Sequence, residues 1–184
     1  NGQVRMEPEI KVTFPEGSSI YKMGVILKEH GFHSWQDFQA LVNEGLTAPR
    51  REKHWGIFKY ISSESLEGYL FPDTYQFIQD VSVEVMVEVM LRRFEAVVMP
   101  NWPIWKKSTG FSLHEIITLA SIIEKEAKQP QERPIIASVF YNRLNMGMPL
   151  AADPTVKYAL ERPTKKVYFN QLESKSLYNT YRRR

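Results

Sequence analysis

Three helix-periodic segments in the second half of the chain, each with its own start or stop signal, leave little room for anything but a mainly helical architecture. The first follows Ser82 and runs to about Val98, where "MPNWPIW" ends it. The second follows Ser112, which with Glu115 has the S-x-x-E spacing of a capping box, and runs to about Lys128. Pro130 breaks the chain, and a third covers Glu132 to Asn145, with Ile136, Val139, Phe140 and Leu144 expected on one face and Gly147 as its stop. Strand-like patterns are short: "EIKVTF" from Glu9, "WGIFKYIS" from Trp55, and residues 75 to 78 behind the aromatic "LEGYLFPDTYQF". The expected class is α+β, with small β elements beside a predominantly helical domain.

The N-terminal part reads as a module of its own. After "EIKVTF", Pro15-Glu16-Gly17 makes a turn, Ser18 is placed to cap a helix through about His30, and Gly31 stops it. Ser34 and Asp37 have S-x-x-D capping spacing ahead of a second helix carrying Trp35, Phe38, Leu41 and Val42, closed by Gly45. The polar "TAPRREKH" then leads to "WGIFKYIS" as a returning strand. Strand, helix, helix, strand resembles the plan of a LysM module, so the expected domains are 1–62, LysM-like, and 63–184.

Composition narrows the function classes. The chain has 184 residues, 43% hydrophobic and 12% aromatic, ample for a core without staples, and contains no Cys that could form a disulfide or a thiolate metal site. Its four His residues lack ligand spacing and no glycine-rich phosphate loop occurs, so neither metal nor cofactor is expected. The net charge of +3 divides unevenly. Residues 1–110 carry 12 basic and 14 acidic side chains, and residues 111–184 carry 12 and 7, giving −2 and +5. Without interleaved aromatic and basic residues, that excess does not point to nucleic acid. No run of 18 apolar residues occurs, and "NGQVRMEPE" has no signal-peptide pattern, so a trimmed ectodomain is expected.

The segment "LASIIEKEA" carries two carboxyls two positions apart. On a helix turning about 100° per residue, Leu113, Ile117, Ala120 and Ala127 lie within roughly 60° of Glu124, whereas Glu126 points nearly the opposite way. Glu124 is therefore expected on the shoulder of a buried face, where loss of water disfavours a carboxylate and suits a general acid, and Glu126 is expected in solvent. A Glu that simply reaches the rim or pairs with a nearby base is the plainer reading. Asp153, ahead of Pro154 in "LAADPTVKYAL", has the placement of an N-cap.

"LEGYLFPDTYQF", "LASIIEKEA", "ERPIIASVFYNRLNMGMPLAADPTVKYAL" and "LYNTY", in that order, resemble the endolytic murein transglycosylases, the MltG or YceG-like family. The resemblance implies a lytic transglycosylase that cuts the MurNAc-GlcNAc bond of peptidoglycan without water and leaves a 1,6-anhydro-muramyl end, terminating nascent strands. It implies Glu124 as the single catalytic acid and base. Glu67 and Asp73 line the groove or hold its loop. Glu132 and Arg133 stand in the cleft wall, unless Glu132 serves its helix terminus. Asn142, Asp153, Tyr178, Asn179 and Tyr181 are the remaining substrate-binding candidates, with N-cap or packing roles as alternatives for Asp153 and the tyrosines. The implied partners are peptidoglycan strands and peptidoglycan synthases. The implied location is the extracytoplasmic side of the bacterial cytoplasmic membrane, with a single-pass N-terminal anchor outside this sequence and a Gly-Pro-rich C-terminal segment beyond "NTYRRR". A noncatalytic peptidoglycan-binding scaffold and a muramidase that admits water are the alternatives, separated by their products: none, and reducing ends.

Overall fold

The computed structural model describes residues 8–44, 56–61, 65–160 and 166–182. The chain forms two compact units, residues 1–117 and 118–184. The boundary expected at 62/63 lies inside the first.

The first unit begins with β1 (Glu9–Thr13), α1 (Ile20–Glu29) and α2 (Trp35–Glu44), and β1 pairs antiparallel with β2 (Thr74–Ile78) from Glu9↔Ile78 to Thr13↔Thr74. Residues in β2 alternate strictly between exposed and buried, which puts Tyr75 and Phe77 inward and makes this segment a strand. Phe14 packs on Tyr75 with ring centroids 6.0 Å apart, and Phe32 meets Phe77 edge-on at 6.3 Å. The order strand, helix, helix, strand is kept, but its second strand is not the expected "WGIFKYIS". Gly56–Tyr60 is instead a 3₁₀ turn that buries Ile57. Trp55, Ser62, Gly45 and the polar stretch 47–54 lie outside the described residues.

One cap differs in detail from the sequence reading. Ser19, not Ser18, caps α1 by accepting from the Lys22 N–H at 3.3 Å, since Ser18 Oγ donates instead to the Pro15 carbonyl at 2.6 Å. The helix α3 (Val83–Val98) starts at Ser82, whose hydroxyl accepts from the Val85 N–H. Its stripe of Met86, Val87, Met90, Leu91, Phe94 and Val98 is buried with Phe38, Tyr69 and Leu27 in the core. Each such side chain stabilises the unit by about 1.5–3 kcal/mol, and Phe94→Ala would cost about 3–5 kcal/mol through its cavity. A further helix, α4 (Trp102–Thr109), follows where sequence reading placed only a helix end; Pro103 suits its first turn and Gly110, at φ 73°, terminates it.

Helix α5 (Leu113–Glu126) contains the boundary between the units, and the expected Ser112–Glu115 box forms: Glu115 Oε2 accepts from the Ser112 N–H at 2.7 Å and Ser112 Oγ accepts from the Glu115 N–H at 3.2 Å. In the second unit a 3₁₀ turn (Pro130–Glu132) leads into α6 (Arg133–Asn145), followed by α7 (Asp153–Ala159) and a 3₁₀ turn at Phe169–Gln171. Gly147, at φ 64°, closes α6 in a Schellman arrangement: Met148 N–H donates to the Arg143 carbonyl and Gly147 N–H to that of Leu144. The expected buried face of α6 does not form as predicted. Phe140 is buried, but Val139 and Leu144 are exposed and Ile136 is only half-buried, because the helix's apolar residues are spread around its axis rather than gathered on one side. No helix among the described residues is long and apolar enough to cross a membrane.

Candidate functional site

One of the two carboxyls of α5, Glu126, is placed otherwise than periodicity suggested. Of the apolar residues around this helix, the fold buries Leu113 in the first turn and Leu119 and Ile122 further on. Glu126 lies within about 60° of Leu119 and Ile122 and is half-buried with them, whereas Glu124, also half-buried, lies between the buried Leu113 and the exposed Ala120 and Ser121. Glu126 is half-buried and its pKa is raised, first by desolvation and then by the nearby Asp153 carboxylate; Lys157 and a hydrogen bond from the Asp153 backbone N–H act in the opposite direction. The expected solvated anion is thus a partly desolvated carboxyl.

Glu124 is no secluded acid. Its Oε2 lies 2.8 Å from Nη2 of Arg133, the first residue of α6, with the two side chains 32% and 42% exposed. The pair is open to solvent, so a ligand can reach both charges.

Asp153 is the first residue of α7 but not its N-cap, a position held by Ala152. Its Oδ1 accepts from the Tyr181 hydroxyl at 2.6 Å instead. Desolvation, followed by this bond to Asp153, pushes the Tyr181 hydroxyl up to about 12. Thr155 and Thr180 hydroxyls meet at 2.9 Å beside this contact, and the Ala151 N–H donates to the Thr180 carbonyl, fixing the C-terminal turn to the start of α7. Arg143 donates to the Leu150 carbonyl.

Asn179 is not available to a sugar, contrary to expectation. It is fully buried; its Nδ2 donates to the carbonyls of Leu172 and Ser174 at 2.9 and 2.8 Å, and its Oδ1 accepts from the Tyr181 N–H at 3.1 Å. A short loop with unpaired carbonyls needs such a side-chain amide. Its neighbour Tyr178 is exposed and meets Tyr158 edge-on at 5.0 Å, leaving ring surface in solvent.

Glu132 caps the 3₁₀ turn: its Oε2 accepts from the N–H groups of Lys128 and Gln129 at 2.7 and 3.0 Å, and the Gln129 bond, then that of Lys128, lowers its pKa. Asn142 is exposed on α6 nine residues after Arg133, about 180° round the axis from it, on a side shared with Ile135, Val139 and Met146. The helix therefore does not bring Asn142 and Arg133 to one face.

In the first unit, the Glu67 carboxylate accepts from the Ile20 N–H at 3.2 Å, binding the "LEGY" loop to the start of α1. Asp73 accepts from the Thr74 N–H at 2.8 Å and from Arg93 Nε at 2.7 Å, and these two bonds, in that order, lower its pKa. Gly68, at φ 87°, is followed by the fully buried Tyr69, whose hydroxyl meets His114 Nδ1 at 2.8 Å and is pushed up to about 12 by burial. Both acidic candidates of this motif thus hold backbone in place. Sequence reading offered no signal for the Glu126–Asp153–Tyr181 chain, whose members are 27 and 28 residues apart and meet only through the tertiary fold. Among the described residues no group of three or more His, Cys, Asp and Glu side chains is arranged to hold a metal.

The chain belongs to the YceG-like family, which it matches over residues 2–184. It is 34% identical over 179 residues to the endolytic murein transglycosylase of Bacillus subtilis (strain 168), an alignment covering 94% of this chain and 49% of that protein. With the endolytic murein transglycosylase of Streptococcus pneumoniae serotype 2 (strain D39) it shares 39% identity over 94 residues, 51% of this chain and 17% of the relative. A YceG-like protein of Listeria monocytogenes has a similar crystal structure, with a TM-score of 0.81 at 31% identity, covering 96% of this chain and 60% of the other. The chain thus spans about half the length of the Bacillus relative.

Proposed function

We propose that the protein of which this chain is part is an endolytic peptidoglycan lytic transglycosylase that cleaves the MurNAc-GlcNAc bond of nascent glycan strands to leave 1,6-anhydro-MurNAc ends. The observation that supports this most is a reachable carboxyl, Glu124, at the first Glu of "IIEKEA" in a chain of the YceG-like family. Protonated Glu124 donates to the glycosidic oxygen as the C1–O bond breaks; its carboxylate then accepts the proton of the same sugar's C6 hydroxyl, whose oxygen closes on C1. No water enters, and one carboxyl serves both steps.

The remaining parts of this reading follow the same reaction. Asn142 and the exposed ring of Tyr178 contact the glycan. The strand-helix-helix-strand plan, closed by β2 in place of the expected strand before residue 62, acts as a LysM-like glycan-binding module. A single-pass anchor outside this sequence holds the protein at the extracytoplasmic face of the cytoplasmic membrane, near peptidoglycan synthases, where cleavage terminates strands.

The test is the product. The full-length protein is incubated with uncrosslinked glycan strands, and the ends are identified by mass spectrometry for wild type, Glu124→Gln and Glu126→Gln. Anhydro ends are expected from wild type, with a loss of about 10²–10⁴ in Glu124→Gln and only a small loss in Glu126→Gln. Reducing ends identify a muramidase, and uncut strands a scaffold.

A further inference from the structure

We infer that Arg133 is a substrate-exchange partner of Glu124: in the unliganded protein it holds the catalytic carboxyl, and on binding it transfers to a carboxylate of the substrate's muramyl substituent, freeing Glu124 to face the glycosidic oxygen. The inference rests on the transglycosylase reading and deepens it.

The geometry raises the problem that the exchange solves. The guanidinium 2.8 Å from Glu124 Oε2 occupies the oxygen that the first step must present to the glycosidic oxygen. The partner must therefore leave before the chemistry. Both side chains are partly exposed, and ion pairs in such positions contribute little net free energy, so a competing anion can separate them. Arg is suited to the exchange because its planar fork binds any carboxylate in the same way. Arg133 opens α6, directly after the 3₁₀ turn closed by Glu132, so its backbone is held while its side chain reaches Glu124. Residues 111–184 carry a charge of +5, a field that favours an anionic strand. Peptidoglycan supplies that anion on the muramyl substituent of the reacting sugar, as the carboxylates of the peptide stem whose first amide bond takes up the lactyl carboxyl.

The full-length protein is tested on three preparations of uncrosslinked strands: stems with free carboxylates, the same strands with carboxyls capped as methylamides, and strands stripped of stems, which expose the lactyl carboxylate. Wild type is expected to cleave the free-carboxylate strands about fivefold faster or more than the capped ones. In Arg133→Gln that ratio falls to about one, and in Arg133→Lys, which keeps the charge without the fork, it is intermediate. Stripped strands cleaved faster than capped ones show that Arg133 also accepts the lactyl carboxylate those strands expose; stripped strands cleaved no faster than capped ones confine its partner to the stem. Binding of labelled strands to Glu124→Gln, followed by fluorescence anisotropy, gives a readout free of turnover. It is expected to favour free carboxylates, and the added Arg133→Gln change abolishes that preference. A ratio of one in wild type, or a ratio that Arg133→Gln leaves intact, overturns the inference. If no strand is cut yet Glu124→Gln still prefers free carboxylates through Arg133, the exchange stands and the transglycosylase reading falls. Anhydro ends formed without any preference give the converse.

Discussion

Tyr181 donates its hydroxyl proton to Asp153 at 2.6 Å, and the backbone N–H of Asp153 donates in turn to Glu126. One residue at the start of α7 thereby connects the end of the glutamate-bearing helix to the C-terminal turn. The connection makes Tyr181→Phe informative. Losing a hydrogen bond to a charged acceptor should cost about 1.5–3 kcal/mol, and thermal melts should show a decrease of several degrees. Asp153→Asn keeps an acceptor and should cost less than Asp153→Ala.

Glu126 gives a pH test with a definite sign. Its folded pKa is raised, so the folded state favours the protonated carboxyl; that contribution is fully present below the ordinary value of 4.5 and is lost as pH rises through the folded value. Glu126→Gln should therefore melt at or above wild type at neutral pH, with the difference closing in acid. A variant that melts below wild type at neutral pH and equals it in acid would reverse the sign.

Asn179 should behave as a structural clamp. Replacing it with Ala leaves the carbonyls of Leu172 and Ser174 without their donor, at about 1–3 kcal/mol for each buried group left unpaired. Urea denaturation should show the loss, and Asn179→Asp, which keeps the acceptor for the Tyr181 N–H but loses both donors, should not rescue it.

Ala151 stands at φ 49°, in the left-handed region where a Cβ is strained by about 1–2 kcal/mol. Ala151→Gly should accordingly be neutral or stabilising despite glycine's larger entropy in the unfolded chain. A marked drop in melting temperature would show that the methyl group's contacts outweigh the strain.

The sequence by itself determined the elements with strong local signals. Ser112 and Glu115 announce the start of α5, Gly147 the end of α6, and the strict alternation of "TYQFI" the strand β2, because caps, left-handed stops and pleats depend on residues a few positions apart. Family membership was legible for a related reason, since it resides in long ordered motifs. Only the tertiary structure decided which side of α5 is buried. Leu113, Ile116, Ile117, Leu119, Ile122 and Ile123 spread over so wide an arc of that helix that periodicity does not fix its buried side, and burial of Leu119 and Ile122 carried Glu126 inward while Glu124 stayed within reach of Arg133. Tertiary structure likewise gave β1 its partner more than 60 residues away and made Asn179 a clamp, because which distant segments meet depends on the packing of the whole unit rather than on any local pattern.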